Sequence, residues 1–252
     1  NYRRGKLEER ILSKLQQLGF QIEAHHHAEA ILEHDMPEAL QEIEAALSTL
    51  SLPVHELVRG GGGEGQLTQR LRHTLDEQHQ WSKHTFNIVK IVDGREQESL
   101  SHVIDHVKTF PGGTIALEIE WNNKDPFFDR DLENFKRLHA DGAISVGVII
   151  TRGTTLQDGM VNLIADFARA NKMAKLTDLN RFYTPTPRQK RKIANTVKSA
   201  GSFPRGWAEA FVSDKFGEAT THWRKLEERI CRGVGNPCPL LLLGLPLNIA
   251  RN

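Results

Sequence analysis

At 252 residues the chain is long enough to bury a substantial core, as one large domain or as a domain with an added lobe. A formal charge of +1 excludes a global field for nucleic acid or an anionic surface, so such a partner must be met by a local patch. Cys231 and Cys238 are too few for a disulfide scaffold, no apolar run reaches the roughly 20 residues of a membrane span, and "NYRRGKLEER" has no signal-peptide core. A reducing cytoplasm is the expected location. The sequence begins with Asn1 rather than Met, so further residues are expected before it.

"KLEERILSKLQQLGF" aligns Leu7, Ile11, Leu15 and Leu18 on one helical stripe, with Gly19 as a stop. A second helix is expected from about Pro37 to Leu50, with Leu40, Ile43 and Leu47 inward, while "IEAHHHAEAILEHD" between them has no clear period. The glycine run at 60–65 breaks the chain, and the helix after it aligns Leu67, Leu71 and Leu75. The boundary expected here separates an N-terminal helical extension, 1–59, from a core, 60–252, within what reads as one continuous domain.

"TFNIVKIV", "HVIDHV", "TIALEIEW" and "AISVGVIIT" are short, β-branched and bounded by turn formers, as strands of one sheet would be. In the third, Ile115, Leu117, Ile119 and Trp121 share one face while Ala116, Glu118 and Glu120 share the other. Asp125 and Pro126 look like the N-cap and first residue of a helix whose stripe is Phe128, Leu132, Phe135 and Leu138. "VGVII" should be a central strand covered on both faces. The order is that of an α/β fold with a mixed sheet flanked by helices. A helix is expected over 155–171, another over "EATTHWRKLEERICRG", and a buried strand in "CPLLLLGLPL". Between Arg169 and Lys198 nine Lys or Arg face one acid, Asp178.

Glu118 and Glu120 leave one strand face with Cα atoms roughly 7 Å apart. Like charges that close raise one another's pKa unless a cation or water intervenes. Taken alone the pair fits a solvated acidic edge as well as a site for Mg²⁺, which favours carboxylate oxygen and retains waters for a substrate phosphate. Asp105 in "SHVIDHVK" shifts the balance, because a hairpin-like pairing sets it beside Glu118. Three converging carboxylates are costly without a metal and suit phosphodiester hydrolysis. The three consecutive histidines 25–27 cannot all face one ion from a strand, so a loop, solvated or set against phosphate, is expected there. The cysteines are expected to pack beside the last helix and strand. The run Arg188, Lys190, Arg191, Lys192 and Lys198 fits a solvated helix face or a DNA-backbone contact.

Asp105 with "EIE" at 118–120 resembles the PD-(D/E)xK nuclease site, and the chain more closely resembles type II restriction endonucleases of the BglII and BstYI kind. The likeness is carried, in order, by "HHAEAILE", "GGGEGQLTQRL", "IDHV", "ALEIEWNN" and "GNPCPLLLLGL". The resemblance implies a restriction-endonuclease-like fold and cleavage of both strands of double-stranded DNA at a short palindrome, leaving 5′-phosphate ends. It also implies Mg²⁺, with Mn²⁺ as a substitute, a homodimer, and a cognate DNA methyltransferase as functional counterpart. Asp105 and Glu118 would bind the metal with the Ile119 carbonyl. Glu120 takes the third motif position, which is lysine in most of the superfamily, glutamine in the BglII and BstYI kind and glutamate in the BamHI type. Its role as base, second-metal ligand or orienter of water stays open. Glu64 is the candidate auxiliary acid, and a first-turn Glu equally suits the helix dipole. Asn122 and Asn123 are candidates for base contact, Asn123 foremost, since an Asn amide can bond adenine bidentately, with Lys124 on phosphate. His26 and the basic run are further candidates for DNA. A repair or mobile-element nuclease, and a non-catalytic DNA-binding protein of the same fold, are the alternatives.

Overall fold

The computed structural model describes residues 12–59 and 64–251. Leu7 and Ile11 of the first expected stripe, and residues 60–63 of the glycine run, lie outside these. In chain order the first elements are α1 (Ser13–Gln17), β1 (Gln21–His25), α2 (Ala28–His34), α3 (Pro37–Ser48), β2 (Leu52–Pro53) and α4 (Val54–Val58). Next come α5 (Gln66–His73), β3 (Ser82–Val92), β4 (Arg95–Phe110), β5 (Gly113–Glu120), α6 (Phe127–Ala140), β6 (Val146–Arg152) and α7 (Thr154–Ala170). Helices α8 (Pro187–Ala200), α9 (Phe203–Lys215) and α10 (Trp223–Cys231) precede β7 (Leu240–Leu245) and β8 (Ala250–Arg251).

Six strands form one mixed sheet in the order β1-β7-β6-β5-β4-β3. β5, β6 and β7 run parallel, while β4 lies antiparallel to β5 and β1 antiparallel to β7. Every residue of β6 is buried, as its unbroken apolar run requires, so the strand sits centrally with helices on both faces. The four strands read between 85 and 151 do share this sheet. The segment before residue 60 is not purely helical: Gln21–His25 hydrogen-bonds along the outer edge of β7. The physical reason is that the buried run "LLLLGL" has backbone groups on both edges that need partners, and a short strand of mixed polarity suits the exposed edge. Leu15, Leu32, Leu40 and Ile43 therefore enter the same core as Leu117, Ile119 and Val148.

On the other face of the sheet, α6 and α10 form a second layer. Phe128, Leu132, Phe135 and Leu138 are wholly buried there, as the stripe predicts. A Cβ on Gly147 would stand 2.4 Å from the Phe135 ring, so the bare backbone of β6 lets α6 lie close. The expected cap is corrected. The helix begins at Phe127 with Pro126 in the capping position, and the Asp125 carboxylate accepts from Arg229 Nη2 at 2.9 Å instead. Arg229 is nearly buried in α10, and Asp125 and Asp129 together balance its charge.

Candidate active site

The pairing of β4 with β5 ends at His106 opposite Leu117, and Asp105 is the next residue outward, where β4 is bulged against β3. The backbone N–H of Asp105 points to Glu118 Oε1 at 3.4 Å. Since β5 is an interior strand, its polar face has α6 above it and not solvent. Glu118 is 4 % exposed and Glu120 2 %, which overturns the solvated-edge alternative. Burial, reinforced by Asp131 and Asp105, pushes the Glu118 carboxyl up to about 9. Burial and the neighbouring Asp131 push Glu120 up to about 8, against the pull of Asn123 and Arg130.

Asp131 was not singled out in the sequence. It projects from α6 at 0 % exposure, and its pKa is raised by burial. Its Oδ1 accepts from Arg130 Nε at 2.8 Å, with Arg130 Nη2 at 2.7 Å, and the same Nη2 stands 3.6 Å from Glu120 Oε1. A signal was present: Asp131 is three residues after Phe128 and four before Phe135, an acid inside an apolar helical stripe. Lys83 was missed as well. It reaches across from β3 to Asp105 Oδ1 at 3.1 Å, a contact set by strand pairing and invisible in spacing.

Asp105 opens onto a cleft of about 940 Å³ that Glu64, Ile119, Trp121 and Asn122 also line. Glu64 precedes α5 and pairs with Arg72 Nη1 at 3.0 Å; it shares the cleft with Asp105. The side-chain donors are carboxylate oxygens, the chemistry of a hard divalent cation, and burial raises the pKa of both glutamates. This donor set fits Mg²⁺ or Mn²⁺. As placed, no three ligating side chains converge on one point among the described residues, and Asp105 is turned to Lys83.

The polar tail of β5 is held as a short ladder. Asn123 N–H donates to Thr221 Oγ1 at 3.0 Å, Thr221 N–H donates back to the Asn123 carbonyl at 2.9 Å, and Lys124 bridges Thr220. Beneath it Arg152, wholly buried between Trp121 and Phe216, donates to the Thr221 carbonyl and Thr220 Oγ1. The Asn123 amide has a second partner, donating from Nδ2 to Glu120 Oε2 at 2.8 Å. Asn123 and Lys124 are exposed, and Asn122 is half-buried at the cleft.

The basic run lies on α8, which opens with Pro187 and a Thr186–Gln189 capping box. Arg188 pairs with Asp214 at 2.7 Å and Lys192 stands 4.0 Å from it; Asp214 lines the cleft, so the first turns of α8 adjoin its rim. Lys190 and Arg191 are exposed. His26 is not brought to the site. It follows β1 at the end where His25 pairs with Leu240, the start of β7, whereas the glutamates lie at the far ends of the parallel strands; its Nε2 donates to Asn236 Oδ1 at 2.7 Å. Cys238 is buried in the α6–α10 layer and Cys231 is exposed.

The family described as Restriction endonuclease BglII/BglIII matches the chain over residues 20–245. Among curated proteins none matches.

Proposed function

Because this chain belongs to the BglII/BglIII family of restriction endonucleases, site-specific deoxyribonucleases that act on double-stranded DNA, we propose that it cuts both strands of a short palindrome in a divalent-metal-dependent reaction, using Asp105, Glu118 and Glu120. The observation that carries this reading is the burial of Glu118 and Glu120 at a strand end beside Asp105, which itself opens onto a cleft. Asp105, Glu118 and the Ile119 carbonyl would hold Mg²⁺, or Mn²⁺ in its place. When bound, the ion supplies stabilisation of the negative charge that develops on the phosphate. Glu120, steadied by Asn123, orients the attacking water from the β5 side. The water oxygen forms the new bond to phosphorus and gives up a proton to solvent, the bond to the 3′ oxygen breaks and that oxygen takes a proton from solvent, and the products are a 5′-phosphate and a 3′-hydroxyl.

Asn122 and Asn123 at the cleft are assigned to base contact, and Lys124, Arg188, Lys190, Arg191 and Lys192 to the phosphate backbone. Glu64 is assigned as the auxiliary acid of the cleft. A palindrome read by a homodimer, each copy cutting one strand, and a methyltransferase protecting the host site complete the proposal. The test is cleavage of methylated and unmethylated plasmid with Mg²⁺ or EDTA, with the ends mapped. Discrete fragments from unmethylated plasmid in Mg²⁺, lost about 10³-fold in Glu118→Ala, are expected. Undiminished cutting by that variant overturns the assignment.

A further inference from the structure

Arg130 is constrained on three sides. Its Nε and Nη2 lie 2.8 and 2.7 Å from Asp131 Oδ1, and its guanidinium stacks over the Phe127 ring at 4.3 Å. The same Nη2 also faces Glu120, at 3.6 Å from Oε1. The other oxygen of Glu120 accepts from Asn123. Both carboxylate oxygens of Glu120 thus have a protein group facing them, one from the β5 tail and one from α6.

As a stabilising device the Arg130–Asp131 pair is poor. Asp131 is fully buried between Phe128 and Phe135 on the inner stripe of α6, where an apolar side chain would pack without desolvating a charge. Its carboxylate is nonetheless the anchor that keeps a flexible arginine in one orientation beside Glu120.

We propose that Arg130, locked by Asp131, is a positioning residue that fixes the Glu120 carboxylate for hydrolysis. The inference rests on the reading that Glu120 serves a metal-dependent cleavage. Arg130 acts through Glu120 and leaves DNA affinity to other groups. Its positive charge also opposes a dication held nearby, so its two effects have opposite signs: it aids turnover and weakens metal binding.

The test compares Arg130→Ala and Arg130→Lys with the unmodified protein. Arg130→Ala should lower kcat by about 10–100-fold with KM for DNA changed by less than about 3-fold. It should bind Mn²⁺ several-fold more tightly in calorimetric titrations without DNA, and guanidinium at constant ionic strength should restore part of its cleavage. Arg130→Lys keeps the charge without the fork; it should bind Mn²⁺ as the unmodified protein does and remain slow, and it carries the test if truncation unfolds the chain. A purely structural role predicts weaker Mn²⁺ binding and no rescue. Either of those, or unimpaired kcat in both variants, overturns the inference. Failure of the unmodified protein to bind Mn²⁺ is a different result, which overturns the metal-dependent reading beneath it.

Discussion

The two faces of β5 are about equally dry, yet they are built for opposite ends. On one face Ile119 and Trp121 are each 8 % exposed and join the main core. On the other, Glu118 and Glu120 are more deeply buried still, against α6. Burial of the first face stabilises the fold through apolar area removed from water. Burial of the second costs stability, because each carboxyl is forced toward its protonated form. One strand thus carries a stabilising face and a destabilising one, and the destabilising face is where positive charge from an incoming ion would be best rewarded.

Substitutions on each face should therefore change stability with opposite sign. Leu117→Ala, at a wholly buried position, should lower unfolding free energy by about 2–5 kcal/mol in denaturant titrations; a loss below 1 kcal/mol would break the contrast. Glu118→Gln should stabilise the metal-free protein at pH 8 by at least about 1 kcal/mol, roughly 2–4 °C in Tm. The sign follows from proton linkage. Glu118 and Glu120 lie above the ordinary 4.5 in the folded state, at about 9 and about 8, so the native form holds more protons than the unfolded one between these limits. Stability of the metal-free protein should fall as pH rises from about 4.5 toward 8–9, and Glu118→Gln should make that slope shallower. A slope unchanged by the substitution would show that the burial cost lies elsewhere.

The smallest effects are expected away from β5, on the exposed cations of α8. Lys190→Ala and Arg191→Ala should leave stability within about 0.5 kcal/mol and weaken DNA binding alike for cognate and unrelated sequences. Each should reduce the slope of log affinity against log salt by about 1, as loss of one phosphate contact does. A change confined to the cognate sequence would instead place these residues among the base-reading groups.

Local periodicity alone was enough to mark the alternation of β5, the apolar run of β6 and the stripe of α6, because each depends only on how side chains project from a regular backbone. It also put Asp105 within one hairpin step of Glu118. Tertiary packing decided the rest. Gln21–His25 became a strand because β7 needed an edge partner, and His26 was carried by that strand to the end of the sheet away from the glutamates. Asp125 became a counterion of Arg229, not a cap, since a nearly buried guanidinium requires anions. Lys83 met Asp105, and Arg130 with Asp131 met Glu120, through contacts between separate elements that no spacing along the chain encodes. Asp105, Glu118 and Glu120 stand out in the sequence as candidates, while Asp131, the burial of the glutamates and the charges set around them followed from which strands and helices closed over that end of the sheet.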